Sequence, residues 1–198
     1  MSKSVEFYFD VGSPASYLAY TQLPALCAQT DSQLIYRPML LGGVFKATGN
    51  ASPNSIAAKG AYMTRDLQRY ARRYQVTLNF NPYFPINTLH LMRAITGVQM
   101  RQPERFAQLL DAVFQALWVR ELDLGNLEVV TELLTEKGFE AHEILALTQD
   151  EKVKDQLKQT TEQAVARGVF GAPSLFVANE LFFGQDRLEF VREALIGQ

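Results

Sequence analysis

The chain has 198 residues, 47% apolar, 20% charged and 11% aromatic, and its 13 Phe and 8 Tyr are too much to bury for a disordered chain. A single cysteine, Cys27, excludes an intrachain disulfide, a CxxC redox pair and a thiolate metal cluster built from this chain alone. A net charge of −2, from 19 Lys plus Arg against 21 Asp plus Glu, leaves no broad basic field, so neither nucleic acid nor a membrane surface is an expected partner.

Val5 to Val11 alternates, with Val5, Phe7, Phe9 and Val11 on one face and Glu6, Tyr8 and Asp10 on the other, which predicts a strand. Gly12-Ser13-Pro14 breaks it. Tyr17, Tyr20, Leu23 and Cys27 then follow a helical period, with Ser13 as a natural N-cap and Pro14 in the first turn, where its missing N–H is no loss. A second strand is expected at Leu34 to Pro38. The stretch from Leu41 to Ser55 is crowded with Gly, Asn, Ser and Pro and reads as a long functional loop or a domain boundary.

From Lys59 to Gly168 the periods are helical: Met63/Leu67/Tyr70/Tyr74, Phe106/Leu110/Val113/Leu117, Leu127/Val130/Leu134 and Val153/Leu157/Ala164, punctuated by Pro103, Asn126, Gly138 and Gly168. Beyond Gly168 the pattern reverts. Ser174 to Ala178 reads as a strand, Asn179-Glu180 as a hairpin connection, Leu181 to Phe183 as the partner strand, and Asp186 with Glu189 as a capping-box-like start of a last helix. The order is βαβ, a helical block, then ββα: an α/β domain from residues 1–45 and 168–198, interrupted by an all-helical insertion at 46–167. The outer segments are each too short to bury a core alone and must pack together.

The turn at Ser13-Pro14-Ala15-Ser16 lies between a strand end and a helix head, where free N–H groups and the helix dipole favour an anion. This order of elements resembles the thioredoxin-like fold of the bacterial disulfide-oxidase family, in which CxxC occupies the turn and a cis-proline faces it. Here Ser13 and Ser16 stand at the two cysteine positions. The chain is more similar to kappa-class glutathione transferases and 2-hydroxychromene-2-carboxylate isomerases. The resemblance rests on Glu6-Phe7-Tyr8-Phe9-Asp10, Ser13-Pro14-x-Ser16-Tyr17-Leu18, Gly49-Asn50, Lys59-Gly60-x-Tyr62, Phe170-Gly171-x-Pro173 and Phe183-Gly184-x-Asp186-Arg187.

The resemblance implies a thioredoxin-like fold with a helical insertion and a glutathione-dependent isomerase that is cytoplasmic and homodimeric and acts on a small aromatic substrate. It places Ser13 beside the glutathione sulfur as a thiolate stabiliser, and Ser13, Pro14, Ala15, Asn50, Ala172, Pro173, Gln185 and Asp186 around glutathione, with Ala172 offering its backbone to the peptide and Asp186 meeting the γ-glutamyl ammonium. Tyr83 and Phe84, in the aromatic run Phe80 to Asn87, match positions near the isomerase substrate. Each residue also has a plainer reading: Ser13 and Asp186 as helix caps, Pro173 as a strand-start proline, Asn50 as a turn residue, Lys59 as a solvated cation, and the aromatic run as core. His90 and His142 form no metal motif, and Trp118 and Cys27 fall on apolar stripes as core residues. A conjugating transferase and a non-catalytic glutathione-binding module remain alternatives, whereas a serine hydrolase lacks a visible base-bearing triad.

Overall fold

The computed structural model describes residues 3–197, so positions 1, 2 and 198 at the two ends of the outer segments lie outside the described residues. Strands β1 (Ser4–Phe9), β2 (Gln33–Pro38), β3 (Ser174–Val177) and β4 (Glu180–Phe183) form one sheet in the order β2-β1-β3-β4. β1 runs parallel to β2 and antiparallel to β3, and β3 runs antiparallel to β4. The two chain ends are thus paired along β1 and β3, with Val5 opposite Val177 and Tyr8 opposite Ser174.

Helix α1 (Pro14–Gln29) crosses from β1 to β2, and α2 (Leu41–Thr48) follows β2. The helical run comprises α3 (Ala57–Tyr74), α4 (Leu89–Arg101), α5 (Phe106–Trp118), α6 (Leu127–Glu136), α7 (Ala141–Leu147) and α8 (Glu151–Ala166). After β4, the single 3-10 turn Gln185–Arg187 leads into α9 (Leu188–Ile196). This is the thioredoxin-like fold with a helical insertion that the sequence implies.

Both faces of the sheet are covered. Phe7 and Phe9 stack with ring centroids 4.9 Å apart and continue into Phe114 of α5 and Leu91 and Ile95 of α4, one core shared by the sheet and the inserted helices. On the other face Tyr8 and Phe176 pack with Met39, Val44, Ala164 and Val169. Alternation along β1 therefore separates two buried faces, and Asp10 lies just beyond the strand at only 1% exposure.

Several boundaries differ from the sequence reading. β1 stops at Phe9 because its parallel partner ends there, at Pro38, and the Val11 N–H turns instead to Met92 Sδ at 3.4 Å. The expected loop after Leu41 begins as α2 despite Gly42 and Gly43. Tertiary capping overrides their weak propensity: Asp10 Oδ2 accepts from Leu41 N at 2.8 Å and Thr161 Oγ1 from Leu40 N at 3.0 Å. Gly43 also suits close packing on α8, since a Cβ there would sit 3.2 Å from Thr161 Cγ2. The hairpin turn falls one residue early, at Ala178-Asn179, because Ala178 takes the positive φ of 52° and Glu180 already pairs with Val177. The expected capping box before α9 does not form. Arg187 is the cap residue, and the Asp186 carboxylate pairs with its guanidinium at 2.5 Å.

Candidate active site

The turn after β1 is held by side chains that satisfy nearly every polar group it exposes. Asp10 Oδ1 accepts from Gly12 N at 2.9 Å, and Oδ2 accepts from Leu41 N and from Thr88 Oγ1, the latter at 3.1 Å. Its backbone carbonyl accepts from Ser13 N at 3.0 Å, while Trp118 Nε1 donates to Val11 O at 2.8 Å. Burial pushes the Asp10 carboxyl above its ordinary range, against the lowering effect of those three donors. One carboxylate thus ties together the turn, the head of α2 and the entry to α4.

Ser13 is the N-cap of α1, in extended backbone at φ −95° and ψ 114°. Its Oγ accepts from Ser16 N at 3.1 Å and donates to Ala172 O at 3.0 Å, across the fold from the second outer segment. The Ala172-Pro173 bond is cis. Pro14 contributes no N–H, and the Ala15 and Ala172 N–H groups find no partner among the described residues. Ser16 is fully buried and its Oγ has no partner among the described residues. Only the first of the two serines therefore faces the open space.

That space is a cavity of about 750 Å³. Ser13, Pro14, Ala15, Asn50, Ala172, Pro173, Gln185 and Asp186 all line it, as does Lys59, so the turn, the loop after α2 and the two ends of the β3–β4 hairpin are brought together. Asn50 follows Gly49, whose φ of 72° closes α2, and its Nδ2 donates to Phe170 O at 2.8 Å. Gln185 is 5% exposed, and its carbonyl accepts from Tyr74 at 2.5 Å, a phenol that burial pushes up to about 12. Gly184 N donates to Pro173 O at 3.0 Å, which locks the Asp186 turn to the proline opposite Ser13. At Gly171 a Cβ would lie 2.7 Å from Phe183, whose ring packs on Phe170 at 4.5 Å.

The two aromatic candidates separate. Phe84 lines the cavity and packs on Trp118 at 5.9 Å between centroids, whereas Tyr83 is 55% exposed and does not line it. Asn81 anchors the turn that carries both rings, donating to Leu117 O and Leu122 O and accepting from Tyr83 N at 2.9 Å. Phe45, Met63, Leu67, Phe80 and Trp118 complete the apolar wall. Of these, Phe80 belongs to the aromatic run that the sequence singles out, Phe45 falls in the stretch read as a loop, and Met63, Leu67 and Trp118 read as ordinary core positions. A smaller cavity of about 190 Å³ between α1, α3 and α9 shares Asp186 but not Ser13.

Among the described residues no three of His, Cys, Asp and Glu are placed to hold a metal ion, and no helix is long and apolar enough to cross a membrane. Cys27 is buried far along α1, where burial pushes its thiol up. The arrangement sets a neutral hydroxyl, its proton on Ala172 O, and an unpaired helix-head N–H beside a half-buried peptide edge.

Residues 4–196 match the DSBA-like thioredoxin domain family. The chain is 29% identical over 198 residues to a 2-hydroxychromene-2-carboxylate isomerase of Sphingobium xenophagum, covering 99% of this chain and 100% of that one. It is 30% identical over 208 residues to glutathione S-transferase kappa 1 of Homo sapiens, covering 98% and 92%. Among solved structures, a 2-hydroxychromene-2-carboxylate isomerase superposes with TM-score 0.85 at 27% identity, over 97% of this chain and 94% of that one. A probable DsbA oxidoreductase from Streptomyces coelicolor shares the fold at TM-score 0.76 and 18% identity. The chain belongs to the DSBA-like thioredoxin family, in the branch that holds the 2-hydroxychromene-2-carboxylate isomerases and the kappa-class glutathione transferases.

Proposed function

We propose that the protein is a glutathione-dependent isomerase of the 2-hydroxychromene-2-carboxylate type, acting on a small aromatic substrate in aromatic catabolism, as a cytoplasmic homodimer. The observation that carries the reading is Ser13: a hydroxyl at a helix head, opposite the Ala172 peptide, opening on a cavity large enough for a tripeptide and part of an aromatic ring.

The residues present fit glutathione. Ala172 lines the cavity and its N–H has no partner among the described residues, which suits a peptide laid alongside as a short strand. The wall also carries two cations, Lys59 and Arg187, and two anions, Asp66 and Asp186; Asp66 already pairs with Arg69 at 3.1 Å, which leaves Lys59, Arg187 and Asp186 to meet a ligand with two carboxylates and one ammonium. When bound, glutathione supplies a sulfur that adds reversibly to an unsaturated, ring-opened substrate, so that the former double bond can rotate before the sulfur leaves.

Ser13 donates its hydroxyl proton to that sulfur, and the Ala15 N–H and the α1 dipole reinforce the negative charge. A free thiol titrates near ~8.5, about 3% ionised at pH 7. A hydrogen bond to a charged acceptor is worth roughly 1.5–3 kcal/mol, so Ser13 lowers the thiol by about one to two pH units and raises the ionised fraction to about one quarter to three quarters. Phe80, Phe84 and Trp118 give the substrate ring an apolar wall and exclude water from the reacting bond.

Titration calorimetry with glutathione, on wild type and Ser13→Ala, tests the reading. Wild type is expected to bind, and the variant is expected to lose roughly tenfold or more in isomerase turnover. Absence of binding, or undiminished turnover in Ser13→Ala, overturns it. The kappa-class relatives favour conjugation as the second reading. The glutathione balance separates the two: constant glutathione during substrate conversion indicates isomerisation, and stoichiometric consumption indicates transfer.

A further inference from the structure

The Ser13 hydroxyl carries one proton, and in this structure that proton is already engaged. Oγ accepts from Ser16 N at 3.1 Å and donates to Ala172 O at 3.0 Å, at a residue only 6% exposed. The direction is forced, because a backbone N–H can only donate and a carbonyl can only accept. A thiolate at the head of α1 also only accepts. Ser13 therefore stabilises such an anion only if its proton is first withdrawn from Ala172.

We infer that the Ala172 carbonyl is a specificity-determining group: a thiol receives the Ser13 proton only if it brings a peptide N–H to replace that proton on Ala172 O. The inference rests on the glutathione reading above and adds a condition to it. The carbonyl has two lone pairs, so the incoming N–H can dock before the hydroxyl leaves, and no bare buried carbonyl is formed on the way. Only the hydroxyl hydrogen has to swing about Cβ–Oγ. The Ser16 N–H bond to Oγ stays, so the cap of α1 is unaffected. The thiol's own proton goes to solvent. Thiols without a suitably placed N–H enter the same cavity, leave the Ser13 to Ala172 bridge closed and feel only the Ala15 N–H and the α1 dipole, without the Ser13 share of the pKa fall.

The test uses wild-type protein with glutathione and with its depsipeptide analogue, in which an ester oxygen replaces the cysteinyl N–H. The bound thiol is titrated by its thiolate absorbance near ~240 nm. The expected result is a fall that is larger by about one to two pH units for glutathione than for the analogue, which keeps only the contribution of the Ala15 N–H and the α1 dipole. Equal falls overturn the inference alone, while glutathione that binds without any fall, or does not bind, overturns the functional reading and this inference with it. S-methylglutathione gives an independent measurement for the case in which the analogue binds too weakly to titrate. Having no acidic thiol, it is expected to bind Ser13→Ala at least as tightly as wild type, because its binding draws no proton from Ser13, whereas glutathione at pH 8 binds the variant about tenfold more weakly. Parallel weakening of both ligands refutes the exchange.

Discussion

Replacing Asp10 with asparagine keeps the side chain's shape and removes its titration, which isolates the contribution of one buried carboxylate to the site's scaffold. In the folded protein it is 1% exposed and accepts from Gly12 N, Leu41 N and Thr88 Oγ1. Burial outweighs those donors and raises its pKa, so between the ordinary carboxylate range near ~3.9 and the raised value the folded state holds more proton than the unfolded chain. Stability from this group is therefore fully present below about pH 4 and is lost as pH rises through that window, at up to about 1.4 kcal/mol per pH unit. The amide has one acceptor oxygen in place of two, so its NH2 must face a buried N–H, at a pH-independent cost of about 1–3 kcal/mol. Denaturant unfolding of both proteins from pH 4 to pH 8 gives the difference directly, with the other carboxylates cancelling. Wild type is expected to exceed Asp10→Asn by the most at the acid end, with the gap narrowing as pH rises. A gap that widens with pH would show that the three hydrogen bonds outweigh burial and refute the argument.

Three further substitutions address the same scaffold. Gly12→Ala places a Cβ 2.7 Å from Thr88 Cγ2 in a packed turn, for an expected loss of about 1–3 kcal/mol by denaturant titration; wild-type stability would mean that Thr88 moves freely. Trp118→Phe deletes the donor to Val11 O and is expected to lower Tm by roughly 2–4 °C per kcal/mol of an about 1–3 kcal/mol loss, read by thermal melting. Asp186→Asn removes only a partly exposed ion pair with Arg187, so stability should change by less than about 0.5 kcal/mol while calorimetric glutathione affinity falls by about three- to tenfold.

How far the site was legible depended on which kind of order each residue belonged to. Strand alternation and helical period are local, and they delivered the four strands, the helical run and the turn at Ser13 to within a residue or two. Where long-range contacts decide, local pattern misled. Gly42 and Gly43 look like loop, yet become helix because Asp10 and Thr161, far away in sequence, cap its first N–H groups. Asp186 looks like a cap, but its nearest cation is the adjacent Arg187. Tyr83 and Phe84 are indistinguishable as letters, and which ring reaches the cavity depends on a turn anchored by Asn81 to Leu117 and Leu122, far along the chain. The apolar wall was illegible for a simpler reason: Leu67 and Trp118 satisfy every criterion of core residues, and a cavity differs from core only in what is missing beside it.

Ser13 shows why a bland and a functional reading of one residue need not compete. An N-cap uses a lone pair of the hydroxyl, here toward Ser16 N, and leaves the proton unassigned. A cysteine at the same position would ionise and become the reacting atom itself, with the helix head stabilising its charge. Serine stays neutral at any ordinary pH, so the same helix head and the same facing peptide can serve only an anion that arrives from outside. The cap fixes the oxygen, the fold brings Ala172 to within 3.0 Å of it, and the proton between them is the one mobile element of the pair. Capping thus makes the proposed role more precise, because an oxygen already anchored by Ser16 has only the direction of its hydrogen left to change when a ligand enters.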